Sequence, residues 1–192
     1  MRPSPPASTE PNRAQIRVLA TRTLLCALFA VALLATSMSI ARADSVSRGS
    51  AAFHRGDYAR AFQELSPPAE RGNAGALGLL GFMYEHGFGV PQAYAAAADL
   101  YYRGAVRGDP FAQAMLGLMY DKGHGVSKDF VLAYKWLNLA ASHTGGRERN
   151  TYARLRNAVA SKLSGNEIVA GQYLALSWVL APPVPELHPT NR

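Results

Sequence analysis

The sequence predicts an all-α fold, a right-handed α-α superhelical solenoid of helical hairpins closed by a C-terminal pair of capping helices. Three observations predict it. Residues 80–90 read LGFMYEHGFGV and residues 116–126 read LGLMYDKGHGV, one unit written twice at an offset of 36. A repeat of that period marks a hairpin that cannot bury its apolar face alone and stacks on its neighbours. Within the units, apolar or small residues recur at three-to-four spacing: Phe130, Ala133, Leu137, Ala140 and Ala141, and likewise Tyr94, Ala97, Tyr101, Gly104 and Ala105. That spacing forms one buried stripe on a helix. The third observation is the single cysteine, Cys26. The rest of the chain has no thiol for a disulfide framework, a thiolate metal site or a thiol nucleophile, so packed helices must hold it together.

Taken in order, the chain opens with Arg2, Arg13, Arg17 and Arg22 ahead of an apolar run from Leu24 to Leu34, followed by Ala41-Arg42-Ala43. This is the layout of a secretory signal peptide, with cleavage expected after Ala43 and the product periplasmic or secreted. An apolar run extended to Ile40 would instead serve as an uncleaved membrane anchor and make the protein a tethered scaffold. Residues 1–43 hold five arginines and one glutamate, so 15 basic and 12 acidic side chains remain after them and the formal net charge falls from +7 to +3. The remaining basic residues are scattered, which argues against a nucleic-acid partner.

Residues 44–71 read as a degenerate first hairpin. Phe53 stands opposite Tyr84 and Gly56 opposite Gly87, with a five-residue loop deletion, and Pro67-Pro68 is expected to break or kink the second helix. Residues 72–107 and 108–143 are the two full units. Asn73 and Asp109 follow a glycine and serve as N-caps, with Pro110 suited to the first turn. The first helix stops at the Gly-x-Gly-Val loop, where glycine takes positive φ at low cost. The second begins near Pro91 or Asp129. Interior Gly81 and Gly117 each cost about 1 kcal/mol of helix propensity, so their recurrence implies close approach of the paired helix. In residues 144–180, Tyr152 to Leu163 has helical spacing, and Ser164-Gly-Asn-Glu167 is a capping box opening a last helix. Residues 181–192 are proline-rich and expected to be disordered.

The motifs LGFMYEHGFGV, LGLMYDKGHGV and AYKWLNLAAS closely resemble the Sel1-like repeat, a tetratricopeptide-related family of helical hairpins, over residues 50–143. The first unit departs by lacking the Gly-x-Gly-Val loop and is closer to a plain tetratricopeptide-like hairpin. The helices to about Trp178 resemble the terminal extension of exported bacterial members. The resemblance implies a non-enzymatic adaptor or regulator that binds a protein or peptide segment, in a setting such as envelope signalling or exopolysaccharide assembly. Some disulfide-rich members are linked to β-lactam chemistry, and this chain lacks their cysteines.

The chemistry-bearing residues point the same way. His54, His86, His124, His143 and His188 show no pair at the four-residue spacing of a metal-binding helix, so no metal is expected. His124 near Asp121 could form an acid–base pair, but a water-exposed turn is the usual home of such residues. Gly87-Phe88-Gly89 has neither the third glycine nor the preceding strand of a phosphate-binding loop, and no cofactor is expected. A peptidoglycan-related or β-lactam-directed hydrolase would need a nucleophile beside a base, which the sequence does not display. Tyr101, Tyr102, Tyr134 and Trp136 could form a carbohydrate platform, although Tyr101 and Trp136 fall where hairpin core is expected. In related solenoids the first helix of each hairpin lines a concave groove. By position, Phe82, Glu85 and His86, with Leu118, Asp121 and Lys122 beside them and Phe111 flanking, are the candidate partner-binding residues; ordinary surface and core positions are the competing reading.

Overall fold

The computed structural model describes residues 45–180, and every described residue in regular structure is helical. Eight helices follow one another: α1 (residues 45–54), α2 (Tyr58–Glu70), α3 (Ala74–His86), α4 (Tyr94–Ala105), α5 (Pro110–Lys122), α6 (Phe130–Ser142), α7 (Gly146–Ala160) and α8 (Gly165–Leu180). The expected signal peptide and the proline-rich tail lie outside the described residues. No described helix is long and apolar enough to cross a membrane.

Each start and stop has a local cause. The Asn73 side chain accepts from the Ala76 N–H at 2.9 Å, Asp109 from Ala112 at 2.7 Å and Asp129 from Leu132 at 2.9 Å. These bonds satisfy helix-start donors that have no intrahelical partner. Helix α4 lacks such a cap, because Ala93 stands where α6 has Asp129; it begins at Tyr94, three residues after Pro91. Gly87 and Gly123 end α3 and α5 in the left-handed region, at φ 72° and 75°. The capping box closes as expected, with the Ser164 N–H and hydroxyl both donating to Glu167 Oε2 at 2.7 Å.

Helix α3 packs on α4 and α5 on α6, and α4–α5 and α3–α5 contacts join the two hairpins. The device that sets the hairpin spacing is written three times. A Cβ on Gly81 would sit 2.8 Å from the Tyr101 ring, one on Gly117 2.8 Å from Leu137 Cγ, and one on Gly49 2.6 Å from Leu65 Cγ. Each glycine therefore makes the room in which a large side chain of the partner helix lies flat. Those three side chains are fully buried. Buried clusters succeed one another along the chain, and half-buried Met115 and Tyr120 pack against two of them, which joins the interior between α4, α5 and α6 to that between α5, α6 and α7.

Two expectations are corrected. The first hairpin's loop is shorter by four residues, not five. Leu65 and Tyr101 are 36 apart whereas Gly49 and Gly81 are 32 apart, and the Asp57 N–H donates to Ala52 O just as the Ala93 N–H donates to Tyr84 O. Ala52, not Phe53, thus stands opposite Tyr84. Of the break or kink expected at Pro67-Pro68, the break does not occur: helix α2 runs to Glu70. Both prolines fall near its end, and the Ser66 hydroxyl donates to Phe62 O at 2.7 Å within that turn. Helix α7 starts at Gly146, six residues ahead of the periodic segment, and α7 and α8 each rest chiefly on α6.

Candidate functional site

A gathering of half-buried aromatic side chains spans α1, α3, the loop after α3 and the start of α5. Phe82 is its hub. Its ring lies 5.7 Å from Phe53, 6.0 Å from Phe88, 6.1 Å from Phe111 and 4.0 Å from the His86 imidazole, which stacks on it. His86 is held there by its Nδ1, 3.0 Å from Phe82 O. Helical geometry dictates this pair, since residues four apart share a face. Phe53, Phe82, Phe88 and Phe111 are half-buried, and His54 and His86 are exposed. The rings offer edges and faces to solvent from consecutive first helices.

The loop glycines hold the edge of this face. Phe88 stacks on Tyr58 at 4.6 Å and 10° between planes, and Gly89 at φ 72° brings the loop onto the first residue of α2. The second repeat copies the arrangement: His124 lies 4.6 Å from Tyr94, and Gly125 packs against the Tyr94 carbonyl. Each loop therefore covers the start of the preceding second helix. Phe53, Phe88 and Tyr58 were not among the sequence candidates. Their signal was present as the aromatic ring between the two loop glycines, Phe88 or His124, and the aromatic opening each second helix, Tyr58, Tyr94 or Phe130.

The structure separates the seven sequence candidates. Phe82, His86 and Phe111 come together. Leu118 and Lys122 occupy the equivalent face of the second repeat, half-buried and exposed respectively. Glu85 accepts a 2.8 Å hydrogen bond from the Tyr101 hydroxyl, and Asp121 pairs with Lys162 at 2.6 Å. Those two carboxylates are engaged within the molecule. Burial, followed by the charge of Glu85, pushes the Tyr101 hydroxyl far above the usual tyrosine range, so it stays a donor. Burial also raises the Asp109 carboxyl, against the backbone N–H groups of Ala112 and Phe111 that lower it.

Other chemistry finds no comparable setting. Tyr101, Tyr134 and Trp136 are 0, 5 and 2% exposed, core residues rather than a sugar-binding platform. No group of three or more His, Cys, Asp or Glu among the described residues could hold a metal ion. An open cleft between α2, α3 and α4, lined by Phe62, Ser66, Tyr84, Leu100 and Arg103, encloses about 190 Å³. That is below the roughly 300–1,000 Å³ of small-molecule pockets. The aromatic face is the stronger candidate.

A family model for the Sel1 repeat matches residues 74–109 and 110–144. Among solved structures, a Sel1 repeat protein from Oxalobacter formigenes is similar at TM-score 0.52 and 32% identity, over 57% of this chain and 45% of that one. The structure of c5321, described as a protective antigen present in uropathogenic Escherichia coli strains displaying an SLR fold, is similar at TM-score 0.64 and 20% identity. That match covers 79% of this chain and 35% of the other. The chain thus spans less than half the length of either structure. No curated protein matches.

Proposed function

We propose, for a chain that carries two Sel1 repeats in an all-helical solenoid, that it is an exported, non-enzymatic adaptor whose first-helix groove holds a peptide segment of a partner protein. Sel1 repeats generally mediate protein–protein interaction, which supports the binding role. The observation that carries the finer reading is the run of half-buried rings around Phe82. Aromatic side chains already fixed by their neighbours lose little freedom on binding and are the residue types that dominate interface energetics. Exposed His86, Lys122 and His54 would form the polar rim, and an apolar or aromatic anchor on the ligand would enter between Phe82, Phe88 and Phe111. Envelope signalling or exopolysaccharide assembly are the settings proposed.

Site-specific photocrosslinking in cells tests this reading. A crosslinker at position 86 or 122 is expected to capture one and the same protein, and a crosslinker at exposed Gln63 on α2 is not. Phe82→Ala is expected to weaken that partner at least about tenfold. Capture that is equal from position 63, or affinity unmoved by Phe82→Ala and Phe88→Ala, would overturn the groove assignment.

A further inference from the structure

Helix α8 carries two apolar faces, and the fold covers one. Gly171 and Ala175 are buried on α6, where a Cβ on Gly171 would lie 2.8 Å from the Tyr134 ring, and Trp178 meets Trp136 at 4.9 Å. On the other side Val169, Tyr173, Leu176, Val179 and Leu180 are 63, 70, 58, 55 and 75% exposed. No residue from Ile168 to Leu180 carries a charge. A helix that is apolar all round is ordinarily buried all round.

We propose that this face is a self-association surface, on which α8 of a second copy of the chain packs antiparallel. Two properties of the face select that occupant. The residues Val169, Tyr173, Leu176 and Leu180 are spaced four, three and four apart, a seam that faces a partner helix. The spacing also reads the same in both directions. An antiparallel copy therefore places Val169 opposite Leu180 of the partner subunit, and Tyr173 opposite Leu176 of the partner subunit, in both halves at once. A two-fold contact requires that self-complementarity, because one patch must serve both subunits. Small Ala170 falls opposite the bulkier Val179 of the partner subunit in the same register.

The area suffices. Five such side chains at these exposures present on the order of 500 Å², as large as the largest apolar patch on a typical monomer. Two copies would remove on the order of 1,000 Å² from water, the threshold for a specific interface. The helix carries no charge after Glu167 that would repel the same helix of the second copy. The residues of this contact are distinct from those of the aromatic face on α1, α3 and α5.

The test is the mass in solution of the protein obtained from the full chain. A closed dimer is expected at about 100 µM. Leu176→Glu, at a site already more than half exposed, should weaken it on the order of 100-fold without changing the helical circular dichroism. In a Cys26→Ser background, mixing Val169→Cys and Leu180→Cys chains should give the mixed disulfide in preference to either homodimer, which fixes the antiparallel register. A monomer at that concentration, an open series of oligomers, or a dimer that Leu176→Glu and Leu180→Lys leave intact would overturn the proposal. So would a monomer that dimerises only when residues 181–192 are removed, which would assign the face to the chain's own end.

Discussion

The hairpins α3–α4 and α5–α6 share their first-helix caps, glycines and loops, yet equivalent positions do different work. Phe82, His86 and Phe88 of the first become Leu118, Lys122 and His124 of the second, so an aromatic surface passes into an aliphatic and basic one. Glu85 binds the Tyr101 hydroxyl of its own hairpin, whereas Asp121 reaches Lys162 beyond α7. Asp99, half-exposed on α4, pairs with Arg103 at 3.6 Å; its counterpart Lys135 is 8% exposed beneath the α8 tryptophan. Positions that set helix separation are constant, and positions that meet a neighbour follow that neighbour. The scaffold can thus be repeated while the surface is varied.

The loop glycines give the sharpest way to break the equivalence. Alanine at position 125 combines a φ of +69° with a contact on the Tyr94 backbone carbonyl that cannot give way. At position 89 the φ is +72° and the nearest atom is Tyr58 Cβ at 2.8 Å. Gly125→Ala is expected to lose about 3–4 kcal/mol of unfolding free energy and Gly89→Ala about 1 kcal/mol less. Denaturant titration checks both. Equal losses would show that the second loop is no more tightly seated than the first.

The carboxylates come next. Tyr101→Phe removes a charge-assisted hydrogen bond at a half-buried site and should cost about 2 kcal/mol. Asp121→Asn breaks an ion pair whose lysine is 43% exposed and should cost less than about 1 kcal/mol. Thermal unfolding of the two variants side by side decides whether the inward and outward uses of this position differ as the contacts imply.

These contrasts also mark what the sequence could convey. The hairpins, their caps and the close-approach glycines were legible because periodicity and residue type act locally: Asn73 caps whatever follows it, and Gly81 makes room for any partner helix. The glycine of the first hairpin was missed because its loop is four residues shorter, and aligning Phe53 with Tyr84 slid Gly49 out of register. Glu85 and Asp121 looked alike by position. Only tertiary contacts with Tyr101 and Lys162, 16 and 41 residues away, distinguish them from exposed groove residues. The aromatic face was half legible, since Phe82 and Phe111 stand out by position while Phe53 joins them through packing between hairpins and Phe88 from the loop of Phe82's own hairpin. The pairing of α7 and α8 with α6 rather than with each other has no periodic signature.

Lys135 tests the smallest and most conditional difference. Burial pulls its amine from the usual 10.5 down to about 8, while its Nζ lies 4.4 Å from the Trp136 ring centroid and 4.1 Å from that of Trp178. Burial disfavours the charged amine, and the two indole faces, which favour it, oppose that effect. Below pH 8 the amine is charged in both the folded and unfolded chain, so the net cost is fully present. As pH rises from 8 toward 10.5 the folded chain releases the proton first, and stability rises. Lys135→Met is therefore expected to gain about 1 kcal/mol at pH 7, with the gain shrinking by pH 9.5. Melting temperatures of both proteins at the two pH values provide the measurement. A Met variant less stable than wild type at pH 7 would mean that the tryptophan pair more than offsets the burial, making the α6–α8 contact a cation-binding one that α4, with Asp99 in the same position, has no means to copy.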